Sequence, residues 1–301
     1  MHSGPPDIDD PDPPPQAASA ETARRSARGD GDATRVHVEV GDAERIEAAL
    51  DEEGHAEAVA AIREAIARGD VYQVCFTLRA RLAAVSGATL YRALARSSPR
   101  FLAWVRLPSG EEIVSASPEL FFAIEGRAVR SEPMKGTGRS AAALLASEKD
   151  EAELAMITDL LRNDLRPVCE EGSVRVVASR RSMDVGYATQ TVSEIAGTLV
   201  PGVTHLDVLA ALHPGGSITG APKRAAMDAI AALERTPRGA YTGTLGWVDG
   251  ERGVFSLLIR TAHRVRGGDA WTYGVGGGIT WRSNAAEELA EARAKLGALG
   301  R

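Results

Sequence analysis

The stretch LFFAIEGRAVRSEPMKGT, residues 120–137, decides how the remaining sequence is built. Leu120 to Ile124 and Ala128 to Arg130 are short strand-forming runs on either side of a Glu125-Gly126 turn, so the spacing predicts a β-hairpin. Behind it comes SEPMKGT, residues 131–137, with a lone lysine between a proline and a glycine. Pro133 fixes one backbone torsion and Gly136 permits torsions that side-chain-bearing residues avoid, which predicts Lys135 on a loop of restricted shape. A lysine held in this way and desolvated loses its proton more easily and becomes a nucleophile. Taken alone, the heptapeptide is read more simply as a surface lysine in a turn.

Working outward, an amphipathic helix is expected at His55 to Arg68, with Val59, Ile62 and Ile66 on one face and Gly69 as its stop. Val71 to Leu82 follows as a strand. Alternation sets Tyr72, Val74, Phe76 and Leu78 against Gln73, Cys75, Thr77 and Arg79, and the second face is too polar for a core unless it borders a cavity. Further strands are expected at 101–107, 111–116, 120–125 and 127–132, then a helix over Ser147 to Leu165. Strands near 173–180 and 187–197 precede a helix at 204–212 opened by the pair Thr204 and Asp207. The last third reads as a helix at 222–234, strands at 240–248, 254–265 and 269–276, and a final helix from Ala285 to Leu299. Antiparallel-looking runs with irregularly interspersed helices predict an α+β fold and not a doubly wound parallel sheet.

Residues 1–33 are rich in Pro, Asp, Gly, Ser and Ala with almost nothing large and apolar to bury, and are expected to be a disordered tail. Residues 34–301 carry a globular pattern with no linker and no repeat at solenoid periods, hence one domain. Of 301 residues, 44% are hydrophobic and 25% charged, enough for an ample core. A net charge of -6 argues against a dedicated nucleic-acid binder, so small molecules or proteins are the expected partners. Two cysteines, Cys75 and Cys169, make no disulfide framework, and no Cys/His cluster has zinc spacing; a reducing cytoplasm fits. No run approaches the roughly 18 apolar residues of a membrane helix, and the start of the chain lacks the plan of a signal peptide.

The helix over 147–165 is expected to bury Leu154, Ile157, Leu161 and Leu165, with Asp150 and Glu153 together on a different face near its start. In the final helix, Asn284 and Glu287 have the spacing of a capping box, and Glu288, Glu291 and Lys295 share one face. Carboxylates one turn apart reach a hard cation together, and magnesium takes a few of them along with water and substrate oxygens. The simpler meaning of these groups is an acidic helix start and a solvated helix face, and nothing in the sequence brings the two helices into contact. HPGGSITGAPKRAAMDAI, residues 213–230, is a glycine-rich loop running into a helix, where free N–H groups suit an anion; it lacks the spacing of a nucleotide-binding loop. Gly274 to Gly278 end a strand where bare backbone is able to approach a ligand's carboxylate. Arg260, in the apolar run LLIRTAH, is either paired in the core or a bidentate carboxylate ligand.

Together and in order, these segments resemble the chorismate-utilising enzymes, which include the large subunits of anthranilate and aminodeoxychorismate synthases and the isochorismate and salicylate synthases. The resemblance runs from about Glu57 to Leu299. It is carried by GDVYQVCFTLR (69–79), SASPELF (115–121), PMKGT (133–137), KDEAELAMITDLLRNDL (149–165), GSV (172–174), HPGGSITGAPKRAAM (213–227), IRTA (259–262) and GGGITWRSNAAEELAEARAKL (276–296). It implies two stacked, mainly antiparallel β-sheets flanked by helices with the site between them, in a chain whose N-terminal region is shortened. Residues 34–301 would then be a chorismate-binding catalytic domain using Mg2+. By this resemblance Glu153, Glu288 and Glu291 match the metal carboxylates, with Asp150 at a further acidic position. Arg260, Tyr241 and the backbone at Gly277 and Gly278 match groups that hold the enolpyruvyl side chain, while Gly136 and Thr137 match those near the ring carboxylate. Gln73, Gln190 and Lys295 complete the substrate-binding set, and Glu119, in the SPE turn, matches the general acid that protonates the departing C4 hydroxyl.

Two positions separate the branches of the family. Gln73 stands where isochorismate and salicylate synthases carry a water-activating lysine, so water attack is disfavoured. Lys135 stands where anthranilate synthases generally carry alanine, as in the aminodeoxychorismate synthase branch, whose lysine attacks C2 as the C4 hydroxyl leaves before ammonia enters at C4. The expected product is 4-amino-4-deoxychorismate, the precursor of para-aminobenzoate, made with ammonia from a separate glutamine amidotransferase subunit. Gln190 replaces a histidine common among relatives and favours a product that keeps its side chain; Cys75 replaces a common asparagine and has no functional account. The segment where anthranilate synthases bind tryptophan is missing, so control by tryptophan is not expected. The same sequence leaves two alternatives: an anthranilate synthase or related ammonia-using enzyme, and a non-catalytic homologue that binds chorismate or the amidotransferase.

Overall fold

The turn at Glu125-Gly126 forms as its residues dictate: Gly126 takes φ 58°, and Ala123, Ile124 and Glu125 pair antiparallel with Arg130, Val129 and Ala128. The computed structural model describes residues 33–40, 44–138, 140–185 and 188–299. The expected disordered tail lies outside these residues except at Ala33, which opens a strand.

Along the chain, β1 (Ala33–Val40) and β2 (Glu44–Asp51) precede helix α1 (His55–Arg68), and β3 (Gln73–Leu82) leads to α2 (Gly87–Ala95). Four strands follow: β4 (Phe101–Arg106), β5 (Glu112–Ser117), β6 (Leu120–Glu125) and β7 (Ala128–Ser131). The middle holds β8 (Met134–Gly138), α3 (Ala141–Ala146), α4 (Glu148–Leu165), β9 (Arg175–Asp184) and β10 (Thr189–Thr198). The last third comprises α5 (His205–Leu212), α6 (Gly216–Thr219), β11 (Gly220–Ala221), α7 (Lys223–Leu233), β12 (Thr244–Asp249), β13 (Arg252–Leu257), β14 (Thr261–Arg264), β15 (Trp271–Ile279) and α8 (Ala285–Leu296).

Among the described residues the strands form two antiparallel sheets. One, of eight strands, runs β1-β2-β3-β15-β14-β5-β4 with β11 against β3; the other, of seven, runs β12-β13-β6-β7-β10-β8 with β9 against β10. Each buries one face in its own core. Val74, Phe76, Leu78 and Leu82 of β3 meet Val59 and Ile62 of α1, Ala226 of α7 and Leu296 of α8. In the second sheet, Phe122, Ile124, Val129 and Ile195 meet Ile157, Leu161 and Leu165 of α4 and Val208 and Leu212 of α5. Each large side chain so buried stabilises the fold by about 1.5–3 kcal/mol, which frees the opposite faces to carry polar groups. The opposite face of β3 carries Gln73, Cys75, Thr77 and Arg79, as the alternation set them, and all four are buried. Tyr72, which precedes the strand, departs from the pattern and is 66% exposed.

Three expectations change. Lys135 lies on strand β8 and not on a loop, because β10 offers an edge: Lys135 pairs with Thr191, whose hydroxyl donates to the Lys135 carbonyl at 2.6 Å. Pro133 stands just before that strand, where it forfeits no ladder donor, and its carbonyl accepts from Ser193 N. The strand expected at 254–265 is two strands in different sheets, β13 and β14, and the chain crosses between them with Arg260 at φ 52°. The strand expected at 240–248 starts only at Thr244, since Gly243 N bonds back to Ala240 O and closes a turn. The sequence pattern also leaves β1, β2, α2 and α3 unannounced. Among the described residues no helix is long and apolar enough to cross a membrane.

Candidate active site

Between them the two sheets line a cavity of about 180 Å³. Lys135 and Gly136 on β8 and Gln190 on β10 come from one sheet, and Cys75 on β3 and residues 273–278 of β15 from the other. The crossover adds Ile259 and Arg260, the α6 turn adds Ser217 and Ile218, and α4 and α8 close the remaining side with carboxylates and lysines. The two acidic helices that the sequence could not join meet here, with Lys149 Nζ of α4 lying 3.3 Å from Glu288 Oε1 of α8.

Glu119 follows Ser117 and Pro118 on the link between β5 and β6, is only 4% exposed, and accepts a hydrogen bond from Ser217 Oγ at 2.8 Å. Burial pushes its carboxyl up to about 7, against the pull of the Ser217 bond, the Lys135 and Arg260 charges and the Met134 N–H. A carboxyl poised near neutrality is suited to give or take a proton at physiological pH.

Arg260 is buried on the crossover. Burial pushes its guanidinium down to about 10, while Tyr273 and Glu119 act in the opposite direction. A charged fork in so dry a wall favours an anionic ligand. Burial raises the phenols of Tyr241 and Tyr273, keeping both neutral, and Tyr273 Oη has no hydrogen-bond partner among the described residues. Gly274 and Gly278 of β15 are required by what packs on them. A Cβ at Gly274 would lie 2.2 Å from the Tyr241 ring, and one at Gly278 would lie 2.5 Å from Gln73 Nε2 and 3.1 Å from Lys135 Nζ.

Ser147 caps α4 by accepting from Asp150 N, and Asn284 caps α8 by accepting from Ala286 N and Glu287 N, which sets the first turns that carry Asp150 and Glu288, with Glu153 and Glu291 about one turn further on. Lys149 Nζ lies 3.3 Å from Glu288 Oε1 and 3.9 Å from Glu153 Oε1, and Lys295 Nζ lies 2.8 Å from Glu291 Oε1. Burial raises the Glu153 carboxyl, opposed by Lys135 and Lys149 and reinforced by Glu288 and Asp150. The Lys295 charge is the main cause that holds Glu291 low. Burial works against the Lys149 charge, but Glu288 and Glu153 outweigh it and raise the ammonium.

As arranged, no three acidic, histidine or cysteine side chains among the described residues stand close enough to hold a metal ion. The donor chemistry nevertheless fits a hard cation. It is all oxygen, Glu153 Oε1 is buried without a hydrogen-bond partner among the described residues, and a lysine ammonium supplies the positive charge where Glu153 and Glu288 converge.

The structure thus gathers Lys135, Glu119, Gly136, Gln190, Tyr241, Arg260, Gly277, Gly278 and Lys295 with Asp150, Glu153, Glu288 and Glu291 around one cavity. Gln73 stays behind the wall, 0% exposed, with neither amide atom bonded among the described residues and its nitrogen against Gly278. Thr137 belongs to β8, and its side chain lies outside the described residues. Sequence reasoning missed Ser217, Lys149 and Tyr273. Ser217 lay inside the glycine-rich loop, where the hydroxyl and not a backbone N–H proves to reach the acid; Lys149 sat beside Asp150 in plain view. Tyr273 shares the apolar face of β15 with Trp271 and Val275, so its pattern signals only core.

The family model described as chorismate binding enzyme matches residues 9–301. Aminodeoxychorismate synthase component 1 of Bacillus subtilis is 35% identical over 263 residues, which cover 83% of this chain and 55% of that protein. An anthranilate synthase component 1 of Haloarcula marismortui is 36% identical over 285 residues, covering 90% of this chain and 57% of that protein. The solved anthranilate synthase component I from Streptococcus pneumoniae TIGR4 superposes with a TM-score of 0.76 at 27% identity, over 85% of this chain and 59% of that one. The chain spans a little over half the length of these relatives. With a match over nearly its whole length and the two-sheet fold of a solved relative, this chain belongs to the chorismate binding enzyme family.

Proposed function

We propose that this chain is the synthase component that aminates chorismate to 4-amino-4-deoxychorismate, for para-aminobenzoate and folate synthesis, in the cytoplasm. Ammonia comes from a separate glutamine amidotransferase subunit. The observation that carries this reading is Lys135, whose strand sets its amine in the cavity wall beside Gly278 and within the charge field of the buried acid Glu119. In the proposed reaction Lys135 Nζ bonds to ring C2, both ring double bonds shift, and the C4–O bond breaks as Glu119 donates its proton to the departing hydroxyl, releasing water. Ammonia then bonds to C4, the double bonds shift back, and the C2–N bond breaks to return Lys135 as its free amine. The balance is chorismate and ammonia to aminodeoxychorismate and water. Arg260, Tyr241 and the backbone at Gly277 and Gly278 hold the enolpyruvyl carboxylate, and the neutral Gln73 offers no base to activate water. Glu153, Glu288 and Glu291, with Asp150, would hold Mg2+, whose charge binds a substrate carboxylate and eases departure of the hydroxyl.

An anthranilate synthase reading is supported by the 36% identity to the Haloarcula relative; Lys135 and Gln190 count against it. Mass spectrometry of the products from chorismate, Mg2+ and ammonium at mildly alkaline pH separates the two. Aminodeoxychorismate, with its enolpyruvyl group retained, is expected. Anthranilate with free pyruvate would overturn the proposal, as would isochorismate or salicylate, and absence of turnover under any ammonia supply would favour a binding protein.

A further inference from the structure

Just behind the cavity, one carboxylate is shared by two arginines. Glu234, which ends α7, and Arg79 of β3 form an ion pair at 3.0 Å with side chains 5% and 7% exposed. Arg238 donates from Nε at 3.0 Å and from Nη2 at 2.6 Å to the same carboxylate, which also accepts from Thr77 N and Thr77 Oγ1. Burying three charges is costly, and apolar side chains of equal volume commonly serve packing as well or better. What an ionic cluster provides here is fixed position, and Arg238 shows where that is used. Its Nη1 and the second N–H of Nη2 reach out of the cluster to backbone carbonyls, Nη1 to Ile218 O at 2.6 Å and Nη2 to Cys75 O at 2.8 Å. Cys75 lines the cavity, and Ile218 follows Ser217, the residue that hydrogen-bonds Glu119. Arg79 in turn lies 5.5 Å from the centre of the Tyr241 ring.

We infer that Glu234 and Arg238 are positioning residues, which clamp the α6 turn to β3 so that the Ser217 hydroxyl is held on Glu119. The clamp is a property of the fold, and its place in catalysis rests on the acid role proposed for Glu119. Glu119 is faced by Ser217 from α6, by Lys135 and the Met134 N–H from β8, and by Arg260 from the crossover. The clamp is faced by Thr77 and Cys75 of β3 and by Tyr241. The clamp reaches the turn that carries Ser217 directly, through the bond from Arg238 Nη1 to Ile218 O, so the Ser217 bond is the path by which it acts. That bond favours the ionised carboxylate. A slack turn therefore makes Glu119 hold its proton to higher pH.

The test is a titration of Glu119 in the full chain, followed by carbon NMR of glutamate labelled at the carboxyl and assigned with Glu119→Gln. Arg238→Lys and Ser217→Ala are each expected to move the midpoint upward by about one pH unit, a tenfold change in proton affinity, the size of one hydrogen bond to a charged group. The double variant is expected to move it no further, and Arg127→Lys, at the surface pair with Glu170, not at all. A folded Arg238→Lys chain with the wild-type midpoint, or a double variant whose shift is the sum of the single ones, overturns the clamp. If Arg238→Lys does not fold, Glu234→Gln, which keeps an oxygen acceptor and the side-chain shape, is measured with the same expectation. The readout needs no turnover. A wild type that titrates as expected but converts no chorismate would refute the proposed reaction and leave the clamp standing.

Discussion

Glu119 and Lys135 face the same small cavity, and each answers to a different measurement. The Glu119 carboxyl moves from an ordinary 4.5 to about 7 in the folded chain, so the folded state holds its proton more tightly than the unfolded state does. The stability this brings is complete below pH 4.5 and is lost as pH rises through about 7. Glu119→Gln, uncharged throughout, is therefore expected to gain stability over wild type above pH 7, by up to about 3 kcal/mol, and to gain little at pH 4. Thermal unfolding at the two pH values checks this, and an equal change at both would remove the titration argument. The same substitution is expected to lower kcat for chorismate consumption by about 100-fold or more, the usual worth of a positioned acid. Lys135→Ala should abolish amination while shifting stability by less than about 1 kcal/mol, because the side chain is only partly buried and β8 pairs through its backbone. Unchanged turnover in that variant would remove the covalent step.

At the scale of elements, α4 and α8 matter because together, from their capped first turns onward, they bring four carboxylates and two lysines to one side of the cavity. Lys149 neutralises Glu153 and Glu288, the carboxylates a divalent cation would need. Lys149→Ala is expected to bind Mn2+, as a probe for Mg2+, on the order of tenfold more tightly, since one competing charge at partly screened distance has been removed. Calorimetry or the loss of the free Mn2+ signal in electron paramagnetic resonance reads this without turnover. Weaker binding in the variant would mean that Lys149 shapes the site and does not compete for it.

The described residues form two cores with a polar cavity between their sheets, and the chain passes from one sheet to the other more than once, at the link that carries Glu119 and at the crossover that carries Arg260 among other places. Leu82 belongs to the first core and Leu161 to the second, and each cut to alanine should cost about 2–5 kcal/mol through the cavity it leaves. Because both sheets line the site, chorismate should raise the melting temperature of either variant by preferential binding to the folded chain. Two separate transitions, of which the ligand shifts only one, would mean that a single sheet carries the site.

Much of this was legible in the residues themselves. The Glu125-Gly126 hairpin, the α4 stripe of Leu154, Ile157, Leu161 and Leu165, and the polar face of β3 all follow from turn stereochemistry and from periods of 2 and 3.6, which act over a few residues. The order of the motifs named the family for the same reason: they are strings of chemistry that stay intact however the chain is folded. What only the tertiary structure decided is non-local. Lys135 became a strand residue because β10 supplied an edge from more than fifty residues away, and the run around Arg260 divided because two sheets claimed its ends. Ser217 met Glu119, and α4 met α8, because each sheet buried its apolar face under helices and turned its polar face to the cavity. Local pattern sets which face of an element is polar, but the stacking of the two sheets sets what that face meets.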